Sequence, residues 1–273
     1  MLLHFIHWDI QPEIFRIGEI AIRYYSLLFA VGLLLSYYLL KRIYADKSNV
    51  VDALFIYIFI GTVAGARLGH CLFYEWAYYK YHILEMLLPI QQSPITGEYF
   101  FTGYQGLASH GGTIGVIISV GIFSYFHRQN FLALSDKLAI VTPIAGGFIR
   151  LGNLMNSEII GKQTQVIWAF IFTRVDDLPR HPAQLYEAIS YFSIFAILYI
   201  LYKTNSFSKG FYLGLFFILT FTARFFIEFI KENQEQFENS MTFNMGQYLS
   251  IPFILLGIIL VIYSLKGQNT KEL

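Results

Sequence analysis

Residues 147–161, GFIRLGNLMNSEIIG, place an arginine, two asparagines and a glutamate inside an otherwise apolar segment. On a helix Arg150 and Asn153 share one face, because residues three apart are neighbours. A guanidinium beside an amide suits a phosphate, since the arginine fork matches two anionic oxygens at once. We therefore predict that Arg150 and Asn153 contact an anionic ligand. Asn156 points elsewhere if the helix continues, so we expect it to cap the helix end.

A histidine stands where another apolar helix is predicted to begin, in the stretch ASHGGTIG. Free N–H groups at a helix start attract anions, and the glycines that follow allow close backbone approach. A histidine also accepts a proton near neutral pH, so we expect His110 to act as a general base. The alternative is a structural histidine hydrogen-bonded at the membrane interface.

Three further arginines lie in or beside apolar segments. An arginine at the centre of a membrane helix costs about 2.5–3.5 kcal/mol on insertion scales, so its presence there needs a reason. Arg224 has Glu228 one turn later, which suits either a site role or a structural ion pair. Arg67 fits pairing with Glu75 or a carbonyl as well as it fits a site. Arg23 lies close enough to a boundary to reach water.

The elements that position these residues are predicted to be membrane helices. The chain is 56% hydrophobic and 14% charged, with a mean hydropathy of +0.52, which is typical of polytopic membrane proteins. A spanning helix needs about 20 mostly apolar residues. Seven segments qualify: 21–40, 52–74, 111–126, 137–155, 184–202, 211–230 and 246–265. We predict an all-α fold in which residues 1–273 form a single integral membrane domain.

The loops predict the orientation of these spans. With seven spans, the side that holds the C-terminus carries nine Lys and Arg residues and the other side carries six. Basic residues favour the cytoplasmic side, so we predict the N-terminus outside and the C-terminus in the cytoplasm. Arg67, Arg150 and Arg224 then lie in the outer halves of their spans, and His110 and Tyr25 near the outer ends of theirs. Polar chemistry from five helices is expected to meet in the external leaflet.

Several function classes lack their sequence signatures. The chain has one cysteine, Cys71, so no cysteine cluster can hold a metal. No HExxH, GxxxxGK[ST] or dinucleotide glycine motif occurs, which argues against a metalloprotease, an ATP-driven pump and a nicotinamide enzyme. The net charge of +1 implies no attraction to nucleic acid. Buried arginines also line ion pathways, so a lipid or anion transporter is the alternative to an enzyme.

Eight stretches, in order and over nearly the whole chain, resemble the bacterial phosphatidylglycerol–prolipoprotein diacylglyceryl transferases. They are IRYYSLLFAVG, GARLGHCLFYE, HGGTIGV, SDKLAIVTP, IRLGNLMNSEIIG, RHPAQLYE, ARFFIEFIKE and MGQYLSIP. The resemblance implies a seven-span enzyme of the bacterial inner membrane. Such an enzyme moves diacylglycerol from phosphatidylglycerol onto the lipobox cysteine of a prolipoprotein signal peptide, forming a thioether and releasing glycerol phosphate.

The resemblance also implies roles for individual residues. His110 is similar to the family's essential histidine, and Arg150 and Arg224 to its headgroup arginines. The tyrosine of its first span is similar to Tyr25, which we expect to be catalytic, and its signature asparagine and glutamate are similar to Asn153 and Glu158. We also expect substrate contacts from Asn156, Gln184 and Glu228. The attacking thiol has a pKa near 8.5 and must lose its proton, to His110 or, alternatively, to Tyr25 or a phosphate oxygen. This chemistry requires neither a metal nor a cofactor.

Overall fold

The computed structural model describes residues 5–18, 20–45, 48–93, 96–103, 106–234 and 236–269. The chain divides into two compact units. The larger unit comprises residues 1–43 and 135–273, and the smaller unit comprises residues 44–134.

Helices dominate the described part of the chain. In chain order they are α1 (Tyr24–Tyr44), α2 (Ser48–Phe73), α3 (Trp76–Tyr79), α4 (Ile83–Leu87), α5 (Ser109–Phe126), α6 (Phe131–Asn156), α7 (Ala183–Thr204), α8 (Phe211–Ile227) and α9 (Met245–Asn269). A short 3-10 helix covers Gln236–Ser240. Each of the seven segments predicted to span the membrane contains a helix, but the first helix begins at Tyr24 and not at residue 21, because residues 21–23 pair as a strand.

The number of spans is confirmed only in part. Within the described residues, α1, α2, α6, α7 and α9 are the five helices long and apolar enough to cross a membrane, while α5 and α8 are shorter apolar helices. Helix α8 ends at Ile227, before the predicted boundary at residue 230, and α5 has only 18 residues. The seven predicted spans thus correspond to seven helices, and five of these are long and apolar enough to cross a membrane.

The all-α prediction is wrong in one respect, because short strands lie between the helices. They are β1 (Ile6–Trp8), β2 (Glu13–Ile17), β3 (Ile20–Arg23), β4 (Ile90–Gln92), β5 (Tyr99–Phe101), β6 (Phe170–Phe172) and β7 (Pro179–Arg180). Strand β6 pairs in parallel with β1 and antiparallel with β7, while β2–β3 and β4–β5 form antiparallel pairs. Strands of two to five residues show too little alternation to be recognised in sequence.

Helices α2 and α5 of the smaller unit pack through glycines. A Cβ atom on Gly65 would collide with the Gly111 carbonyl, and one on Gly115 would collide with the Gly61 carbonyl. Small residues let membrane helices approach until their backbones touch, which maximises van der Waals contact. The expected close approach at the His-Gly-Gly stretch is therefore found, and the partner of Gly111 is helix α2.

A buried carboxylate of the larger unit fixes the start of α8. Asp136, in α6, accepts hydrogen bonds from the backbone N–H of Gly210 (2.7 Å) and of Leu213 (2.8 Å). These bonds satisfy donors that the first turn of a helix leaves unpaired. Gly210 has a φ of +96°, which glycine adopts without strain. The cap ties α8 to α6, the helix that carries Arg150.

The glycine contact gives a test of the α2–α5 packing. Gly115→Leu forces a side chain into the α2 backbone, so we expect the melting temperature of the purified protein in detergent to fall by roughly 5–10 °C. Gly121→Leu is the matched control, because Gly121 lies on the same helix and a Cβ added there would have nothing within 4 Å. Equal melting temperatures for the two variants would contradict the packing described.

Candidate functional site

The Arg150 guanidinium is buried and paired. Arg150 lies in the last two turns of α6, with 16% of its side chain exposed. Its Nε lies 2.8 Å from Oε2 of Glu187, and its Nη1 donates to Oδ1 of Asn153 at 3.2 Å. Arg150 and Asn153 therefore share a helix face as predicted and are hydrogen-bonded to each other, while their contact with an anionic ligand stays a prediction. Glu187 is a partner of Arg150 that sequence spacing did not reveal.

Helix α7 brings two buried polar side chains to the neighbourhood of Arg150. Gln184 and Glu187 are 0% and 1% exposed, one turn apart near the start of α7. Gln184 donates to the Glu158 carbonyl at 2.5 Å, whereas Oε1 of both Gln184 and Glu187 lacks a hydrogen-bond partner in the described chain. Buried acceptors without donors are rare, and they commonly mark places that a ligand or water completes.

Tyr191 links the two predicted headgroup arginines. It lies one turn after Glu187 on α7 and is 8% exposed. Its hydroxyl is hydrogen-bonded with Arg150 and lies within electrostatic reach of both Arg224 and Glu187. Helices α6, α7 and α8 therefore bring Arg150 and Arg224 into one neighbourhood.

The carboxylate of Glu228 organises the α8 end of the site. Its Oε1 lies 3.5 Å from Nη2 of Arg224 and 2.7 Å from Nζ of Lys231. Its Oε2 accepts a hydrogen bond from Asn244 at 2.9 Å. The expected pair between Arg224 and Glu228 is confirmed. Protein donors already occupy both carboxylate oxygens of Glu228. This residue therefore serves more to hold Arg224 in position than to bind a ligand itself.

The chain reverses its direction sharply after α6, within the polar stretch of residues 147–161. Helix α6 ends at Asn156, and Ser157 and Ile159 adopt positive φ values of 55° and 58°. The turn folds Glu158 back, so that it accepts hydrogen bonds from Asn153 (3.4 Å) and Asn156 (3.1 Å). Glu158 thus joins Asn153, and through it Arg150, as expected from the sequence for a single site.

Tyr25 packs against the same helix. It lies in the first turn of α1, and its ring packs directly against Gly152. A Cβ atom added to Gly152 would lie only 2.8 Å from Cδ2 of Tyr25. Its hydroxyl is within electrostatic reach of Glu158 and Arg150. The glycine of the Arg-Leu-Gly-Asn string therefore admits the tyrosine ring. We name Arg150, Glu187, Tyr191, Arg224, Glu228 and Lys231 the arginine cluster.

His110 belongs to the smaller unit. It lies in the first turn of α5, after the N-cap residue Ala108, and its side chain is exposed. An exposed imidazole at a helix start is free to meet a substrate or an anion. Its proximity to the arginine cluster and its role as general base stay predictions.

Arg67 has a structural role. It is 6% exposed, its Nη2 donates to the Glu85 carbonyl at 2.5 Å, and its Nε donates to the Met86 carbonyl at 3.3 Å. The expectation of pairing with a carbonyl is confirmed. Glu75, the other expected partner, lies 3.6 Å from Nε2 of His70.

The segment before α7 is fixed to the segment after α6. Gly161 donates its N–H to the His181 carbonyl at 2.9 Å, and Arg180 bridges Asp176 and Glu232. The hydrogen bond from Arg180 holds the pKa of Asp176 below its usual value, and burial lowers the pKa of His181. A charged Asp176 near pH 7 keeps its pair with Arg180, and the backbone hydrogen bond between Gly161 and His181 holds the two segments together just before α7 begins.

Among the described residues, no group of His, Cys, Asp and Glu side chains is arranged to hold a metal ion. The site consists instead of guanidinium, ammonium, carboxylate, amide and phenol groups. Such a set is suited to binding an anionic headgroup that carries hydroxyls.

The chain is similar over nearly its whole length to several known proteins. The family model for prolipoprotein diacylglyceryl transferase matches residues 12–263. The phosphatidylglycerol–prolipoprotein diacylglyceryl transferase of Bacteroides fragilis is 51% identical over 275 aligned positions, which cover 99% of each chain. Proteins of the same name from Tolumonas auensis and Chloroherpeton thalassium are 47% and 41% identical, covering 96% and 98% of this chain and 99% and 97% of theirs.

The pairing of Arg150 and Glu187 predicts a stability effect. Glu187→Gln leaves a buried guanidinium without its counter-charge, which typically costs about 3–5 kcal/mol, so we expect the melting temperature to fall by on the order of 10 °C. Glu232→Gln is the control, because Glu232 also pairs with an arginine but is 52% exposed. Its melting temperature should change by no more than about 3 °C. If both variants melt alike, Glu187 is not the counter-charge of Arg150.

Proposed function

Because the chain belongs to the prolipoprotein diacylglyceryl transferase family, we propose that its arginine cluster binds the phosphodiester of phosphatidylglycerol during transfer. The protein is an enzyme that moves the diacylglyceryl group of phosphatidylglycerol to a prolipoprotein. A lipid or anion transporter, the alternative from the sequence, is not favoured, since full-length relatives at 41–51% identity carry the transferase name.

The charge of the arginine cluster carries the proposal. Three cations, Arg150, Arg224 and Lys231, face two carboxylates, Glu187 and Glu228, which gives the named cluster a net charge of +1. The carboxylate of Glu158 lies outside the cluster, separated from Arg150 by Asn153. A phosphodiester carries one negative charge. One lipid headgroup therefore neutralises the cluster, and a low-dielectric surrounding strengthens that attraction.

The two arginines have different tasks in this proposal. Arg150 uses Nε for Glu187 and Nη1 for Asn153, so its orientation is fixed before substrate arrives. Arg224 is 30% exposed and lies 3.5 Å from Glu228, which leaves donors turned outward for a ligand. Preorganised donors stabilise charge that develops in the transition state without further rearrangement. Arg224 should contact the phosphate from the open side and Arg150 from the buried side.

The reaction needs an activated thiol. The thiol of the prolipoprotein's lipobox cysteine attacks the carbon of the diacylated glycerol that bears the phosphodiester. A C–S bond forms at this carbon, and its C–O bond to the phosphate breaks. Glycerol phosphate leaves with the electron pair of that bond, and His110 takes the thiol proton. The negative charge that develops on the departing phosphate lies beside the arginine cluster. Tyr25, Asn153 and Glu158 hold the glycerol headgroup or orient the arginines, with Asn156 and Gln184 beside them.

The proposal includes a membrane orientation. We place the protein in the bacterial inner membrane with the N-terminus outside and the C-terminus in the cytoplasm, in accord with the distribution of Lys and Arg in the loops. Helices α5 and α8 complete a set of seven spans, since their 18 and 17 residues lie at the short end of the spanning range of about 17–25. Both substrates then reach the arginine cluster sideways from the outer leaflet.

Transfer by purified protein tests the proposal. We expect phosphatidylglycerol and a lipobox peptide to give a peptide heavier by one diacylglyceryl group, detected by mass spectrometry. Arg150→Ala and Arg224→Gln should each lower the rate by about 100-fold or more, because each removes a donor to the phosphate. Arg42→Gln is the matched control, since Arg42 is an exposed arginine in the last turn of α1. Wild-type rates in both cluster variants, or lipid flux without a covalent product, would reject the proposal.

A further inference from the structure

A polar cavity of about 560 Å³ lies in the larger unit, beside the β2–β3 hairpin. Its lining includes Gln11, Glu13, Arg23, Asn156, Glu158 and Arg174. We name it the hairpin cavity. Its volume lies in the range of small-molecule sites, about 300–1,000 Å³, and it is lined by charged and amide groups instead of the usual apolar wall.

Two arginines from separate segments face the hairpin cavity. Arg23 ends β3, and its Nη2 is 3.7 Å from Oε1 of Glu13, which a hydrogen bond of 2.9 Å from Arg16 already holds. Arg174 follows β6, and its Nη1 donates to the Asn156 carbonyl at 3.3 Å. In the described part of the chain the remaining guanidinium N–H groups of Arg23 and Arg174 have no further partner. These donors are available to an anion.

The hairpin cavity is connected with the arginine cluster through hydrogen-bonded side chains. Glu158 lines the cavity and accepts hydrogen bonds from Asn153 and Asn156. Asn153 in turn accepts a hydrogen bond from Arg150. A polar path of hydrogen-bonded side chains therefore connects the buried Arg150 with the cavity.

We propose that the hairpin cavity binds the glycerol phosphate released by the transfer reaction, as a product site next to the arginine cluster. The inference rests on the proposed function. When the C–O bond breaks, both electrons stay on the phosphate oxygen, so a phosphodiester with one charge becomes a phosphomonoester with a charge approaching two at neutral pH. The arginine cluster neutralises one charge. In the hairpin cavity Arg23 and Arg174 balance Glu13 and Glu158, so the attraction for the second charge comes from directed guanidinium donors and not from a net charge.

The carboxylates of the hairpin cavity suit the other half of the product. Glycerol phosphate carries hydroxyls, and hydroxyls donate to carboxylate oxygens. Glu13 and Glu158 lie in the same wall as Arg23 and Arg174. A cavity built for phosphate alone would gain nothing from carboxylates, whereas a phosphate joined to a diol uses both groups.

Product inhibition tests this inference with the full-length enzyme. Glycerol phosphate is added to the transfer assay, and its inhibition constant is measured together with the KM for phosphatidylglycerol. We expect the double variant Arg23→Gln, Arg174→Gln to raise the inhibition constant about tenfold, with a smaller rise in KM, because the lost donors contact the monoester. Inorganic phosphate, the second probe, should inhibit the wild type more weakly than glycerol phosphate.

Arg42→Gln is again the matched control, since Arg42 lies near the other end of α1 from Arg23, and it should leave the inhibition constant unchanged. An unchanged inhibition constant in the double variant overturns the product site. A parallel rise in the inhibition constant and KM overturns it as well, because Arg23 and Arg174 would then contact the phosphodiester before cleavage. Equal inhibition by inorganic phosphate overturns the assignment to glycerol phosphate. A wild-type protein that transfers no lipid to the peptide would instead reject the proposed function.

Discussion

A guanidinium inside a bundle of apolar helices needs a carboxylate beside it, and the pair between Arg150 and Glu187 meets that need. The two side chains lie 2.8 Å apart and are 16% and 1% exposed. A buried pair of this kind is stable only while both partners are present and the remaining donors are hydrogen-bonded. Asn153 supplies one of those bonds. The rest of the site is arranged around this pair, because it fixes α6 against α7 and determines which face of Arg150 remains for a ligand.

Several distant contacts serve to keep that pair in register. Asp136 ties the start of α8 to α6, and the hydrogen bond between Gly161 and His181 ties the start of α7 to the segment that follows α6. Helix α8 then presents Arg224 near Tyr191, the residue that also contacts Arg150. The site therefore depends on loops and caps outside its own lining, which agrees with the extent of the family match over residues 12–263.

Local spacing was enough to predict contacts within one helix and too little to predict contacts between helices. Arg150 meets Asn153 three residues away, and Arg224 meets Glu228 four residues away, as helical periodicity requires. The pairing of Arg150 with Glu187 on α7 is not predictable in this way, because sequence spacing does not reveal which helices pack together. The short strands escape prediction because two to five residues show too little alternation. The early end of α8 escapes it because Ile230 and Glu232 form backbone hydrogen bonds with the distant residues Lys162 and Ile160. The convergence of His110 with the arginine cluster stays a prediction.

The central claim is that a buried cluster with one net positive charge selects a lipid with one negative charge. Native mass spectrometry of the protein released from nanodiscs of phosphatidylglycerol and phosphatidylethanolamine measures which lipid stays bound. The account predicts that the wild type retains phosphatidylglycerol in preference to the zwitterionic lipid. Arg224→Gln, which makes the cluster neutral, should lose that preference, whereas the surface variant Arg42→Gln should keep it. An undiminished preference in the Arg224 variant would contradict the account.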